Sequence, residues 1–240
     1  MRCAAGALML DWQPRACPWP ADPAAVEADR QRRIRLARDI WAQARPAAET
    51  VAERYLRGRD ISIPIPPTVR FLPAGDLYAL HPWSGERRPV MVAAVEHIEH
   101  GLVAVHRTWL IPDGSGKATI TPQRITTGPV GGAAARLGEL GADGCLAVGE
   151  GIETTLSAME LSGRPGWAAL SSPGLRKLLL PAEAKDVMIF ADRDRDGGGE
   201  RAARGAAGRW MGEGRKAQLV IPDRPGTDAN DLLREARHAS

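Results

Sequence analysis

The sequence predicts an α/β fold for its C-terminal part, a Rossmann-like parallel sheet flanked by helices, preceded by a smaller α+β part with helices and an antiparallel meander. Three observations predict it. Beyond Gly141, short apolar runs alternate with helical stretches; between Val90 and Ile125, β-rich runs are joined by tight turns; and from Ala25 to Leu56, apolar residues recur at helical spacing. A chain of 240 residues is long enough for two cores. We divide it into an irregular lead-in over 1–24, an α+β domain over 25–140 and an α/β domain over 141–240.

Each element follows from its own residues. The lead-in is rich in Pro, Ala and Trp and has no periodicity; its apolar patch breaks at Asp11 without a cleavage site, so it is not read as a signal peptide. Val26, Ile34, Ala37, Ile40 and Trp41, then Val51, Ala52, Tyr55 and Leu56, make two helices interrupted near Pro46. I-S-I-P-I-P-P, 61–67, is an extended breaker leading into Val69–Leu72. Val90–Ile98 and Leu102–Ile111 flank E-H-G, and P-D-G-S-G turns into a third run, Ala118–Ile125. The Gly/Ala-rich stretch 128–138 is expected to lie close to a neighbouring backbone or to serve as a connection. Strands are then expected at Cys145–Val148, Trp167–Leu170, Val187–Ala191 and Ala217–Ile221, with helices at Ile152–Ser162, Leu175–Leu180 and Gly199–Met211. That alternation places helices on both faces of a parallel sheet.

Composition excludes several classes. Hydrophobic content is 44% and charged content 25%, and no run approaches the roughly 20 apolar residues of a membrane span. A cytoplasmic protein with no membrane partner is expected. Cys3, Cys17 and Cys145 are odd in number and fall in no metal-binding spacing, so neither a disulfide framework nor a zinc site is predicted. All but four of the 32 basic residues are arginine, a bias that fits either base composition or contact with phosphate.

The chemistry is carried by acids. A-D-R-D-R-D-G-G-G-E, 191–200, sets Asp192, Asp194 and Asp196 on alternate positions where a buried strand ends. Strand alternation turns Asp192 and Asp194 the same way. Glu150 stands at the matching end of the first strand, L-A-V-G-E-G, between two glycines that permit a tight turn. Carboxylates ~5 Å apart at an effective dielectric near 20 repel by about 3 kcal/mol per pair, so a cation is expected among them. Oxygen ligands without His or Cys suit Mg²⁺ or Mn²⁺. For D-R-D-R-D by itself, a solvated loop of self-paired charges is the plain alternative.

These residues resemble the Toprim domains of primases, topoisomerases and related nucleases, whose pattern is Glu-Gly after the first strand and Asp-x-Asp after a later one. Here these are Glu150-Gly151 and Asp192-Arg193-Asp194. G-G-G-E-R-A-A and the late P-G-T-D-A-N-D-L-L look like the primase branch over 143–235. Y-L-R-G-R-D-I, V-R-F-L-P and H-R-T-W-L-I-P-D-G-S-G-K-A resemble the region ahead of Toprim in phage- and plasmid-type primases and primase-helicases. Two departures stand out: Thr154 occupies the position four after the glutamate where bacterial replicative primases carry aspartate, with Glu153 one earlier, and no Cys/His set forms the N-terminal zinc-binding module.

The resemblance implies nucleotidyl transfer, with a 3′-hydroxyl attacking an α-phosphate while Mg²⁺ or Mn²⁺ held by Glu150, Asp192 and Asp194 neutralises charge. Asp196 and Asp228 are further candidate ligands, and Glu150 is alternatively a general base. His106, Arg107, Lys117 and Arg124, with Gly151, are candidates for nucleotide or nucleic-acid contact; exposed strand and turn charges are the alternative. G-S-G-K-A does not meet the P-loop spacing. Trp83 and Trp109 are candidate stacking platforms or core residues, and Arg30, Arg32, Arg33, Arg35 and Arg38 a solvated or DNA-binding face. Primer synthesis on single-stranded DNA from nucleoside triphosphates is the leading expectation, with a helicase or a separate zinc-binding protein as potential partners. A Toprim nuclease and a non-catalytic nucleic-acid-binding module are the alternatives.

Overall fold

The computed structural model describes residues 22–239, so residues 1–21 of the lead-in, with the thiols of Cys3 and Cys17, lie outside the described residues, and the first helix begins at Pro23, within the expected lead-in. Helix α1, Pro23–Gln43, starts where the Asp22 carboxylate accepts from the Ala24 amide at 3.0 Å and proline occupies the first turn. It buries only Ile34, Ala37 and Ile40, a narrow stripe at helical spacing. After the short strand β1, Arg45–Pro46, comes α2, Val51–Arg57, capped by the Thr50 hydroxyl.

Strands β2 (Val69–Leu72), β3 (Val90–His97), β4 (Gly101–Trp109) and β5 (Arg124–Thr127) complete an antiparallel sheet in the order β1-β2-β3-β4-β5. The expected meander is present with one correction. Residues 118–123 hold no strand, with bends over 119–123, and Lys117 just before them makes only an isolated bridge to Leu110 just after β4. Pro122 has no amide hydrogen to give a ladder, and pairing resumes only at Arg124.

The C-terminal segment holds β6 (Ala135–Arg136), β7 (Cys145–Gly149), α3 (Ile152–Ser162), β8 (Gly166–Ala168), α4 (Ser172–Lys177), β9 (Asp186–Phe190), α5 (Gly198–Gly212), β10 (Lys216–Val220) and α6 (Ala229–His238). Its sheet runs β10-β9-β7-β8-β6. Strands β7 to β10 are parallel as expected, and β6, drawn from the Gly/Ala-rich stretch, adds an antiparallel edge. Alternate strand residues serve opposite faces: Leu146, Val148, Val187 and Ile189 pack with Leu175 and the alanines and Trp210 of α5, whereas Ala147 and Phe190 pack with Ala158 and Ala229.

The two segments share a core. Tyr55 and Leu56 of α2 and Val69, Phe71, Met91 and Ala93 of the antiparallel sheet form one apolar cluster with Ile152 and Leu156 of α3 and Leu233 of α6. Backbone adds to it, since Glu96 in β3 exchanges hydrogen bonds with Ala134 at 2.8 and 3.1 Å. The connection passes so near β4 that a Cβ on Gly128 (φ +110°) would lie 2.3 Å from the Val103 carbonyl. Leu156 is fully buried in this shared cluster. Leu156→Ala is expected to cost about 2–5 kcal/mol in equilibrium urea unfolding followed by circular dichroism, and a loss below 1 kcal/mol would contradict the shared core.

Candidate active site

A cavity of about 450 Å³ opens at the carboxyl ends of β7 and β9. Those strands are neighbours although β8 comes between them in sequence, so the chain reverses its direction of winding here, the place where open α/β sheets bind ligands. Glu150 follows β7, Asp192 follows β9 and Asp228 caps α6, and all three line the cavity. Lys117, Arg124 and Arg59 line it too. Its carboxylates thus come from the C-terminal segment and its cations from the N-terminal one.

The acids sense one another. Burial, then the charges of Asp228, Glu150 and Asp194, push the Asp192 carboxyl from its ordinary 3.8 to about 7. Burial also raises Glu150, reinforced by Asp194 and opposed by a hydrogen bond from Ser172. That hydroxyl lies 2.9 and 3.0 Å from the two Glu150 oxygens. Asp192 Oδ1 is buried and has no hydrogen-bond partner. An oxygen-only set with a buried, unpartnered carboxylate oxygen fits a hard divalent cation such as Mg²⁺ or Mn²⁺.

Local geometry explains the placement. Strand β9 ends at Phe190, so strict alternation does not carry through to the acids. Asp192 turns into the cavity, while Asp194 lies outside its lining and its Oδ2 accepts from the Gly199 amide at 3.1 Å in the first turn of α5. Its charge still reaches Asp192 and Glu150. A Cβ on Gly199 would fall 2.5 Å from the Asp192 carbonyl, so glycine is what lets α5 begin against the end of the strand. Neither glycine beside Glu150 has a positive φ. Gly149 is needed for space, since a Cβ there would lie 2.7 Å from Thr155 Oγ1, whereas Gly151 has ordinary room and simply begins α3. Leu170, which lines the cavity, is left-handed at φ +68°, and its amide donates to the Glu150 carbonyl at 2.7 Å.

Several expected residues lie elsewhere. Asp196 is exposed, accepts from the Gly198 amide at 3.1 Å and is absent from the cavity lining. Arg107 is not brought to the cavity either: it is buried, donates to the Tyr78 carbonyl and the Thr127 hydroxyl, and stacks over Trp109. His106 is buried beside Thr126 and held down to about 4 by burial and the charge of Arg124. Trp109 is core, its indole donating to the Ala79 carbonyl, while Trp83 is 68% exposed. Of the α1 arginines, Arg30 pairs with Glu27 and Arg32 with Asp29 on the outer side of the helix. Asp228 spends Oδ1 on the Asn230 and Asp231 amides and receives the Thr154 hydroxyl at 3.3 Å on Oδ2. Arg59 and Ser172 escaped sequence reasoning, although Y-L-R-G-R and the helix-starting S-S-P were their signals.

Residues 145–238 match the Toprim domain family. The C-terminal segment is a Toprim domain. Residues 31–137 match a domain family of unknown function, DUF7146. Among solved structures, the chain is similar to the DnaG primase catalytic domain bound to single-stranded DNA, at 17% identity over 89% of this chain and 81% of that one, with a TM-score of 0.56. It is also similar to a DnaG catalytic core (18%, 86% and 78%, TM-score 0.54) and to a DNA primase domain from Pseudomonas aeruginosa (16%, 86% and 77%, TM-score 0.54). At these identities the likeness is one of fold. No curated protein matches the chain.

Within the Toprim domain, the Glu-Gly and the Asp-x-Asp sit at the ends of adjacent parallel strands. Among the described residues, the group whose ligand atoms all lie within 4.8 Å of one another is His97, Glu99 and His100, at the turn between β3 and β4; the cavity acids are not drawn together that closely. No described helix is long and apolar enough to cross a membrane.

A pH prediction follows for the metal-free protein. Because Asp192 titrates higher when folded, its protonation stabilises the native state below the ordinary carboxylate range, and this contribution is lost as pH rises through about 7. Asp192→Asn should therefore be more stable than wild type at pH 8 by on the order of 2 kcal/mol. Mg²⁺ should raise the thermal midpoint of the wild type and not of the variant. An Asp192→Asn variant no more stable at pH 8 than at pH 5 relative to wild type, by differential scanning fluorimetry without metal, contradicts the electrostatic account.

Proposed function

We propose that this chain is a primase-like nucleotidyltransferase that makes short primers on single-stranded DNA from nucleoside triphosphates, in the cytoplasm and in phage or plasmid replication. The observation that carries the reading is the cavity itself, a set of mutually repelling carboxylates from the Toprim domain beside three cationic side chains from the preceding segment. Glu150, Asp192 and Asp194 are the residues to hold Mg²⁺ or Mn²⁺, with Asp228 outside them. Bound there, the ion would supply positive charge to the oxygens of a phosphate under attack.

The chain's own groups do the rest. Lys117, Arg124 and Arg59 offer N–H donors to phosphate oxygens, and a guanidinium can meet them with two parallel hydrogen bonds. Ser172 fixes the rotation of the Glu150 carboxylate. The left-handed Leu170 and the Gly199 approach hold the strand ends so that little is reorganised when substrate arrives. The likeness to primase catalytic cores supports the choice of primer synthesis over other phosphoryl transfers.

The test is incubation with single-stranded DNA, labelled nucleoside triphosphates and Mg²⁺ or Mn²⁺, reading both new oligonucleotides and template length on one gel. Short products are expected, reduced at least about 100-fold in Asp192→Asn. Shortened template without new product would replace the reading by a nuclease, and a gel shift with neither by a binding module. Absence of both reactions in both metals overturns an enzymatic assignment.

A further inference from the structure

Glu153, 5% exposed on the first turn of α3, also lines the cavity, but one of its oxygens is taken by protein partners. Its Oε1 accepts from the Tyr55 hydroxyl at 2.6 Å and lies 3.0 Å from Lys117 Nζ. Tyr55 is 2% exposed on α2, and Lys117 sits at the foot of the turn between β4 and β5. Three elements far apart in sequence therefore meet at one oxygen. Burial would raise the Glu153 carboxyl, but the Lys117 ammonium and the Tyr55 hydroxyl outweigh it and hold it at about 2. A carboxylate so held is a permanent anion facing a single lysine.

The turn that carries Lys117 is tied down as well. Arg54 of α2 donates to the Asp113 carbonyl at 3.2 Å, and Gly114 sits so close that a Cβ there would lie 3.0 Å from Arg54 Cβ. Free lysine has a four-carbon stem that samples many rotamers, and fixing it on binding costs entropy. Anchored on Glu153, one ammonium proton is engaged and the others remain to face the cavity that Lys117 lines.

We propose that Glu153 and Tyr55 are positioning residues that hold the Lys117 ammonium at the acidic cavity, ready for a phosphate of the incoming nucleotide. This use of the pair rests on the nucleotidyl-transfer reading above. Glu153 thereby differs in role from Glu150 three residues before it: the first acid serves the cation site, and the second serves a lysine.

The chain has only four lysines, Lys117, Lys177, Lys185 and Lys216, so ¹⁵N-lysine NMR can resolve their ammonium groups one by one. In the ligand-free protein, the Lys117 ammonium should exchange its protons more slowly than the other three, and Glu153→Gln should abolish the difference. Calorimetric titration with Mg²⁺-ATP should then show binding weakened about tenfold in Lys117→Met and in Glu153→Gln, with the double variant no weaker than either single one. Tyr55→Phe should fall between, and Glu153→Asp should keep part of the affinity, which also serves if the Gln variant fails to fold. Glu153→Gln binding as wild type while Lys117→Met is weakened overturns the positioning role, as does unprotected Lys117 in the wild type. Wild type that binds no Mg²⁺-ATP, yet keeps a protected Lys117 lost in Glu153→Gln, overturns the nucleotidyl-transfer reading and upholds the brace.

Discussion

Repulsion among four carboxylates in and around one partly desolvated cavity is the constraint on which the arrangement of this chain depends. Asp192 feels Glu150, Asp194 and Asp228 together, and burial adds to the penalty. Two carboxylates ~5 Å apart would repel by about 3 kcal/mol at an effective dielectric near 20, against a total stability on the order of 10 kcal/mol for an ordinary domain, and these acids are close enough to raise one another. The Toprim domain offers no cation of its own to the cavity lining. Compensation comes from Arg124 at Asp192, and so from docking the preceding segment, and from Arg176 of the Toprim domain at Glu150. The shared apolar cluster that joins α2 and the antiparallel sheet to α3 and α6 is what makes that docking persist, because apolar burial does not depend on the charge state of the cavity.

Backbone geometry then decides where each acid goes. Glu150 is set by the end of β7, by the Ser172 hydroxyl, and by its carbonyl's bond to the left-handed Leu170. Asp192 is set by the end of β9 and by a helix that can start beside it only because position 199 lacks a side chain. Asp194 is turned onto the first turn of α5, where peptide dipoles favour a negative charge, yet it remains near enough to raise its neighbours. Placing Asp192 inward with a bare buried oxygen is unfavourable for folding and suited to binding a cation. The left-handed leucine at the same cavity is a second local cost of that kind.

How much of this was legible in the sequence depends on the range of the interaction involved. Helix and strand positions in the C-terminal segment follow apolar periodicity within a dozen residues, and the structure matches them closely, missing the charged helix α6 with few buried residues. The third meander run was misplaced because Pro122 interrupts pairing that composition alone favoured. That Glu150 and Asp192 reach one cavity was legible because a strand end puts its next residues at a sheet edge wherever the sheet sits, whereas Asp194 is turned onto α5, outside the cavity lining. Asp196 was overextended by carrying alternation past the end of the strand, and Arg107 by treating a basic residue on a strand as exposed when it lies under Tyr78 and over Trp109.

By itself the sequence determined which segments are strands and helices, that a parallel sheet follows an antiparallel meander, and that acids gather where two of its strands end. These properties come from local periodicity and from chain adjacency. Only the tertiary structure decided which cations meet those acids, that Arg59 and Ser172 join them, and that Glu153 is turned toward Tyr55 and Lys117. The Tyr55–Glu153 hydrogen bond spans 98 positions. A contact of that range is set by how two sheets pack against one shared core, and no pattern within a single segment records it.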